Sequence, residues 1–374
     1  MVTSVPRALR EYSQLAEPQL VKFLDEKGAQ QRGLPVDLAR AHAALRDYVL
    51  RGGKRLRGAL VLLGHEAGGG RPADALLPSL GMELLHAYLL IHDDFMDRDE
   101  LRRGGPTLHV TLTREVKAAQ RGSASDTAAA NPVTADARAE GAAAHLGGSL
   151  AILAGSLCEA WALELFLASP LPAERTLAAA RHLAQALAEV TVGQMLDLSA
   201  PLGPELSALS VLRIEALKTG SYTFELPLLL GAQLAGASDE VLAALRAHAL
   251  PLGQAFQITD DLLGVFGAPE ATGKSSTNDL REGKRTLLIA RALELASPAD
   301  AAALRAGLGN PDLGPAQTEE LREILRRCGA ERSARAEAER LCAESLLALT
   351  APAIPARVAA DLRAIAEYAV RRSL

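Results

Sequence analysis

Apolar residues recur at three- and four-residue spacing through most of the chain, the period of a helix with one buried face. The pattern predicts helices over Val36–Arg51, Leu77–Arg102, Gly148–Leu167, Ala173–Leu198, Val211–Ala235, Glu240–Phe266, Leu287–Leu295 and Thr318–Arg327. Two or three more amphipathic helices are expected in Ser333–Leu374. Several of these segments are apolar around most of their circumference and should lie inside a bundle rather than on its surface. Neither the alternation of a strand nor the turn signal of a hairpin is evident, and no internal repeat stands out. Residues 119–144 depart from the pattern: they are small, polar and low in complexity, and they predict a flexible surface loop. The N-terminal stretch, charged and proline-containing, is expected to be loosely held. Neither segment divides two hydrophobic cores, so residues 1–374 are read as one all-α domain, a large helical bundle.

Composition sharpens this. Of 374 residues 49% are hydrophobic and only 3% aromatic, and the abundance of Ala and Leu favours helix over sheet. Forty basic residues against 45 acidic ones give a net charge of −5, which argues against nucleic-acid binding through bulk positive charge. Cys158, Cys328 and Cys342 show no metal or disulfide spacing and suit a reducing compartment. The first residues carry charge where a secretory signal needs an apolar run. The longest uncharged stretch, Gly141–Cys158, contains His145 and a Gly-Gly pair and reads as a bundle helix rather than a membrane span. A cytoplasmic protein is expected.

The chemistry concentrates in a few segments. In LLIHDDFMDRDELRRGGPTLH, residues 89–109, Asp93 and Asp97 are four apart and project from one helical face, with Asp94 beside them. Such a cluster at the end of an apolar helix needs solvent or cations, and oxygen-only ligands favour Mg²⁺ or Mn²⁺ over zinc. Asp260 and Asp261 form a second acidic pair in the apolar run FQITDDLLGVFG. Two such pairs are hard to explain as solvated faces. Mg²⁺ keeps waters and substrate phosphates among its ligands, so a phosphate or diphosphate bridging metals is implied. Basic residues at glycine-rich turns match that: Lys54, Arg55 and Arg57 in RGGKRLRG, Arg102 and Arg103 after the first acidic cluster, Lys218 before Thr219-Gly220, and Lys274, Lys284 and Arg285 further on.

These motifs, in this order, resemble the trans-isoprenyl diphosphate synthase (polyprenyl synthetase) family: GGKRxR at 52–57, DDxxD at 93–97 followed by RRG, GQMLDL at 193–198, KTG at 218–220, FQxxDD at 256–261 and the GK…D…GK run at 273–284. The resemblance implies the isoprenoid synthase fold, a helical bundle around a central apolar cavity. It implies a prenyltransferase that joins isopentenyl diphosphate head-to-tail to an allylic diphosphate (dimethylallyl, geranyl or farnesyl). Two or three Mg²⁺ ions per site, or Mn²⁺, would be held by Asp93 and Asp97 and by Asp260, with Asp94 and Asp261 in support. Lys54, Arg57, His86 and Arg103 match positions that hold isopentenyl diphosphate. Arg102, Lys218, Lys274 and Lys284 match those that contact the allylic diphosphate, and Thr219 and Gln257 those beside the reacting carbons. The family usually forms homodimers.

Two positions depart from the family pattern: Gly264 replaces the third aspartate of the second motif, and Ser156 stands where Asp is usual. Tyr88, with Leu89 next to it, lies five residues before Asp93, about 7.5 Å deeper along the helix axis. A bulky ring there floors the cavity in the family, and no insertion interrupts the first motif. The combination resembles geranylgeranyl diphosphate synthases, with farnesyl diphosphate synthesis as the alternative. Three rival readings differ in class. A class I terpene cyclase should show NDxxSxxxE, whereas Glu282 stands at the Ser position after Asn278-Asp279. A non-catalytic partner subunit typically loses aspartates that this chain keeps. A metal-storage bundle needs a second Glu-x-x-His beside Glu83–His86, and there is none.

Overall fold

Almost every apolar periodic segment is a helix in the computed structural model, which describes residues 4–34, 38–123, 132–203, 207–267 and 278–370. The chain divides into two compact units. One comprises residues 12–55 and 80–168, the other residues 1–11, 56–79 and 169–374.

The first unit is built from most of α1 (Arg7–Gln30), α2 (Ala39–Leu50), most of α4 (Leu76–Met96), α5 (Leu108–Ser123) and α6 (Pro132–Leu167). Leu20, Leu24, Leu45, Leu84, Ile91, Leu108 and Leu112 fill its core. Trp161 of α6 meets Phe23 of α1 edge to face, with ring centroids 6.3 Å apart. Between α4 and α5 the chain makes a short antiparallel pair, Leu101↔Pro106 and Arg102↔Gly105. The helix expected to reach Arg102 therefore stops at Met96. The two loop residues of this hairpin, Arg103 and Gly104, both have positive φ (52° and 72°), the requirement of a tight two-residue turn. The turn is too short for a sequence pattern to reveal.

The loop expected at 119–144 is largely helix: α5 continues to Ser123 and α6 begins at Pro132. Its alanines lack bulk to anchor a core but have the highest helix propensity. The N-terminal stretch is likewise helical from Arg7, whose guanidinium pairs with Asp361 at 3.1 Å.

The second unit packs α3 (Leu56–Ala67), α7 (Ala173–Ser199), α8 (Ala208–Glu215), a π-helical segment (Ala216–Glu225), α9 (Leu226–Ala235) and α10 (Asp239–Phe266) with the C-terminal helices. These are α11 (Asn278–Glu282), α12 (Leu287–Leu295), α13 (Pro298–Gly307), α14 (Pro315–Arg327), α15 (Ala330–Ala348) and α16 (Ala356–Val370). Helices α3 and α9 are buried along nearly their whole length and touch backbone to backbone: a β-carbon on Gly231 would lie 2.7 Å from the His65 amide nitrogen. A second core joins Leu262 and Val265 of α10 to Leu287, Leu304, Leu325 and Leu341. Thr286 caps α12 by accepting from the Ile289 amide.

Among the described residues two helices, Pro72–Met96 with its leading turn and Ala139–Leu167, are long and apolar enough to cross a membrane by length and composition alone.

Candidate active site

Each unit carries one set of the predicted residues. In the first, the helical rise of α4 sets Asp93 and Asp97 one turn apart, and the Asp97 amide donates to the Asp93 carbonyl at 2.8 Å. Both side chains are half-buried. Asp94, on the adjoining face, is completely buried. One of its oxygens accepts the Tyr48 hydroxyl at 2.6 Å, and the other accepts Arg102 Nε at 2.7 Å together with Arg102 Nη2. Arg102 Nη2 also reaches Asp99 at 3.2 Å and stands 3.9 Å from Asp93. Burial disfavours the Arg102 charge, but Asp94, Tyr48 and Asp93 outweigh it and hold the guanidinium more firmly protonated than usual. Burial, with the Asp94 charge beside it, pushes the Tyr48 phenol far above its ordinary value, so it serves as a donor.

Arg103 turns the other way. Its Nη1 donates to the Gly52 carbonyl at 2.8 Å, and burial with repulsion from Arg55 lowers its pKa below the usual arginine range. Gly52 and Gly53 have positive φ (57° and 120°) and form the turn that delivers Lys54, which is exposed. Arg55 is buried instead, pairing with Glu83 of α4 at 3.5 Å and donating to the Val49 carbonyl at 3.0 Å. His86 and Leu89 are half-buried on α4. So is Tyr88, whose ring packs edge to face on His92 at 4.7 Å.

In the second unit, Arg57 donates to Thr223 Oγ1 at 2.7 Å and lies 4.8 Å over the Tyr222 ring. The close approach of α3 and α9 brings these residues together, since Arg57 opens α3 and Thr223 precedes α9. Lys218, Thr219 and Gly220 fall on the π-helical segment, whose wider turn is admitted by Gly253 of α10, where a β-carbon would strike the Gly220 carbonyl.

Gln257, Asp260 and Asp261 are on α10. Asp260 is half-buried, and Asp261 is buried and accepts the Gln257 amide at 2.7 Å. Burial pushes Glu215 up to about 7 and Asp261 well above its ordinary value, the latter also through repulsion from Glu215 and Asp279.

The Asp279 carboxylate occupies the space that a side chain at Gly264 would need. Lys284 pairs with Glu282 at 3.2 Å and Asp279 at 3.6 Å. Ser156 bonds back to the Ile152 carbonyl of its own helix at 3.2 Å. Lys274 lies outside the described residues.

Sequence reasoning gave no site role to Tyr48, Glu83, Glu215 and Asp279. Asp279 stood inside the GK…D…GK run, and Glu83 was weighed only as half of a Glu-x-x-His pair.

Oxygen donors alone, all carboxylate, fit a hard divalent ion and not zinc. Among the described residues no three His, Cys, Asp or Glu side chains gather as a closed cluster.

The family model for polyprenyl synthetases matches residues 39–326. The chain belongs to the polyprenyl synthetase family. A short chain isoprenyl diphosphate synthase from Methanothermobacter thermautotrophicus is 31% identical over 330 residues, 88% of this chain and 87% of that protein. A (2E,6E)-farnesyl diphosphate synthase from Mycobacterium tuberculosis is 32% identical over 323 residues, 86% of this chain and 80% of its own. Among solved structures, geranylgeranyl pyrophosphate synthase from Corynebacterium glutamicum, complexed with isoprenyl diphosphate and magnesium, matches with a TM-score of 0.87 at 34% identity. The match covers 97% of this chain and 99% of that one.

Proposed function

We propose that this polyprenyl synthetase condenses isopentenyl diphosphate with an allylic diphosphate to make geranylgeranyl diphosphate. The observation that carries the reading is the pairing of motif residues in space. Asp93 and Asp97 stand a turn apart beside Arg102, and Arg103 packs on the glycine turn that delivers Lys54. The family model spans residues of both units, and we read them as one synthase domain.

Asp93, Asp97 and Asp260 would hold Mg²⁺. Bound there, the ions supply charge neutralisation for the departing diphosphate. Arg102, Lys218, Lys274 and Lys284 grip the allylic diphosphate, while Lys54, Arg57, His86 and Arg103 fix isopentenyl diphosphate. The allylic C–O bond breaks, its electron pair leaving with diphosphate, and the isopentenyl double bond attacks the allylic carbon. A proton is then lost to restore a double bond. Fixed cationic side chains favour this because charge builds on the leaving group during the step. Thr219 and Gln257 lie by similarity beside the reacting carbons, where oxygen dipoles stabilise the carbocation. No protein nucleophile is required.

We read α6 as a subunit contact in a homodimer rather than a membrane span. Leu146, Leu153 and Leu157 share one face at helical spacing and are 47%, 62% and 41% exposed. A cytoplasmic location accords with this.

The test is product analysis: purified protein, Mg²⁺, labelled isopentenyl diphosphate and each allylic starter, with the dephosphorylated alcohols resolved by length. Geranylgeraniol as main product supports the full reading. Farnesol as main product keeps the synthase and moves the product to fifteen carbons, the length named for the mycobacterial relative. No condensation from folded protein makes the chain a partner subunit.

A further inference from the structure

We propose that Tyr48 is a positioning residue for the allylic diphosphate: it fixes Asp94, and Asp94 in turn aims Arg102. The inference rests on the function proposed above and concerns a residue outside every motif that identifies the family.

Three observations carry it. Asp94 has no exposure, so no water reaches its carboxylate, and its charge is met by Arg102 on one side and the Tyr48 hydroxyl on the other. A carboxylate with donors on both oxygens is locked against rotation about its Cβ–Cγ bond. The Arg102 fork holds two bonds to a single oxygen of that carboxylate, so the position of the guanidinium follows that oxygen. Arg102 keeps 15% of its side chain exposed, with Nη2 3.9 Å from Asp93, so the end of the guanidinium stands next to the carboxylate proposed to hold metal.

Removing the Tyr48 hydroxyl leaves a buried Asp94 oxygen without a donor, a costly state that the carboxylate relieves by turning. When it turns, Arg102 loses its aim. The phenol reaches across 46 residues of sequence, from α2 to α4. Its second effect is electronic: by accepting a neutral hydrogen bond, Asp94 shares its charge and leaves more of the Arg102 charge for an incoming phosphate. A simple brace between α2 and α4 is the competing account, and it predicts different numbers.

The experiment uses Tyr48→Phe in the full-length protein. Its first readout needs no turnover: calorimetric binding of an allylic thiolodiphosphate, sulfur replacing the bridging oxygen, with Mg²⁺ and no isopentenyl diphosphate. The expected result is about tenfold weaker binding than wild type, the scale of one lost hydrogen bond to a charged group. In steady state KM for the allylic substrate should rise by a similar factor, with KM for isopentenyl diphosphate within about twofold of wild type. In an Arg102→Gln background the same change should add less than about twofold, because the residue through which Tyr48 acts is gone.

Unchanged analogue binding overturns the proposal. So does an equal rise in both KM values with a large fall in unfolding midpoint, the signature of a brace. So does a full tenfold effect that persists beside Arg102→Gln. If wild type itself neither binds the analogue nor condenses substrates, the function reading has failed. If wild type does both and Tyr48→Phe matches it, only the role of Tyr48 has.

Discussion

The guanidinium of Arg103 fills the space above Gly53, its Cζ 2.9 Å from where a β-carbon would be. The second glycine of the GGK turn therefore does two things: it takes a φ of 120° and leaves room for a cation from the hairpin. Gly53→Ala should push Arg103 aside as well as strain the turn. The expected outcome is a rise of about tenfold or more in KM for isopentenyl diphosphate with a smaller change for the allylic substrate. Steady-state kinetics with each substrate varied would measure this, and equal KM values to wild type would refute it.

Gly264 invites restoration of the family's third aspartate. The structure predicts that Gly264→Asp lowers activity, because the Asp279 carboxylate already occupies that space and a second one beside it adds repulsion. A fall of about tenfold in kcat/KM is expected, and a rise would show that Asp279 yields without consequence.

His248 gives the fold a dependence on pH. It is fully buried, with Nδ1 bonded to the Ser345 hydroxyl and carbonyl at 2.8 and 3.1 Å, and Nε2 has no partner. Burial, aided by repulsion from Arg363, lowers its pKa from 6.5 to about 4. Between those values the unfolded chain binds a proton that the folded chain refuses, so stability falls as pH drops through 6.5 toward 4. The loss attributable to this residue is about 3 kcal/mol. Unfolding free energies of wild type and His248→Gln, from denaturant titrations between pH 7 and 4, should converge by that amount, and parallel curves would exclude the effect.

Tyr88 is predicted to set product length. Replacing it with Ala removes the ring packed on His92 and deepens the space along α4, so products should lengthen by one or more five-carbon units. An unchanged spectrum would remove Tyr88 as the floor.

Long helices were legible because their apolar periodicity runs over many turns: α7, α10 and α12 end within one or two residues of expectation. The hairpin at Arg103-Gly104 was not, since two residues of positive φ leave no periodic trace. Ala-rich 132–144 misled for the opposite reason: low complexity described its composition while propensity decided its structure. At the site, Lys54, Asp93 and Arg102 declared themselves by motif. Tyr48 and Glu83 could not, because each works through a contact whose partner is tens of residues away, and neither residue type signals that contact.

The π-helical segment Ala216–Glu225 closes its hydrogen bonds over one residue more than its neighbours α8 and α9. A single deletion within it would return the segment to the commoner hydrogen-bond register while moving Lys218 and Thr219 around the helix. The commoner hydrogen-bond register would favour that change, whereas the packing of Gly220 on Gly253 and the placement of Lys218 and Thr219 would oppose it. In a copy of this gene released from its reaction, this turn should be among the first features to heal into an ordinary helix.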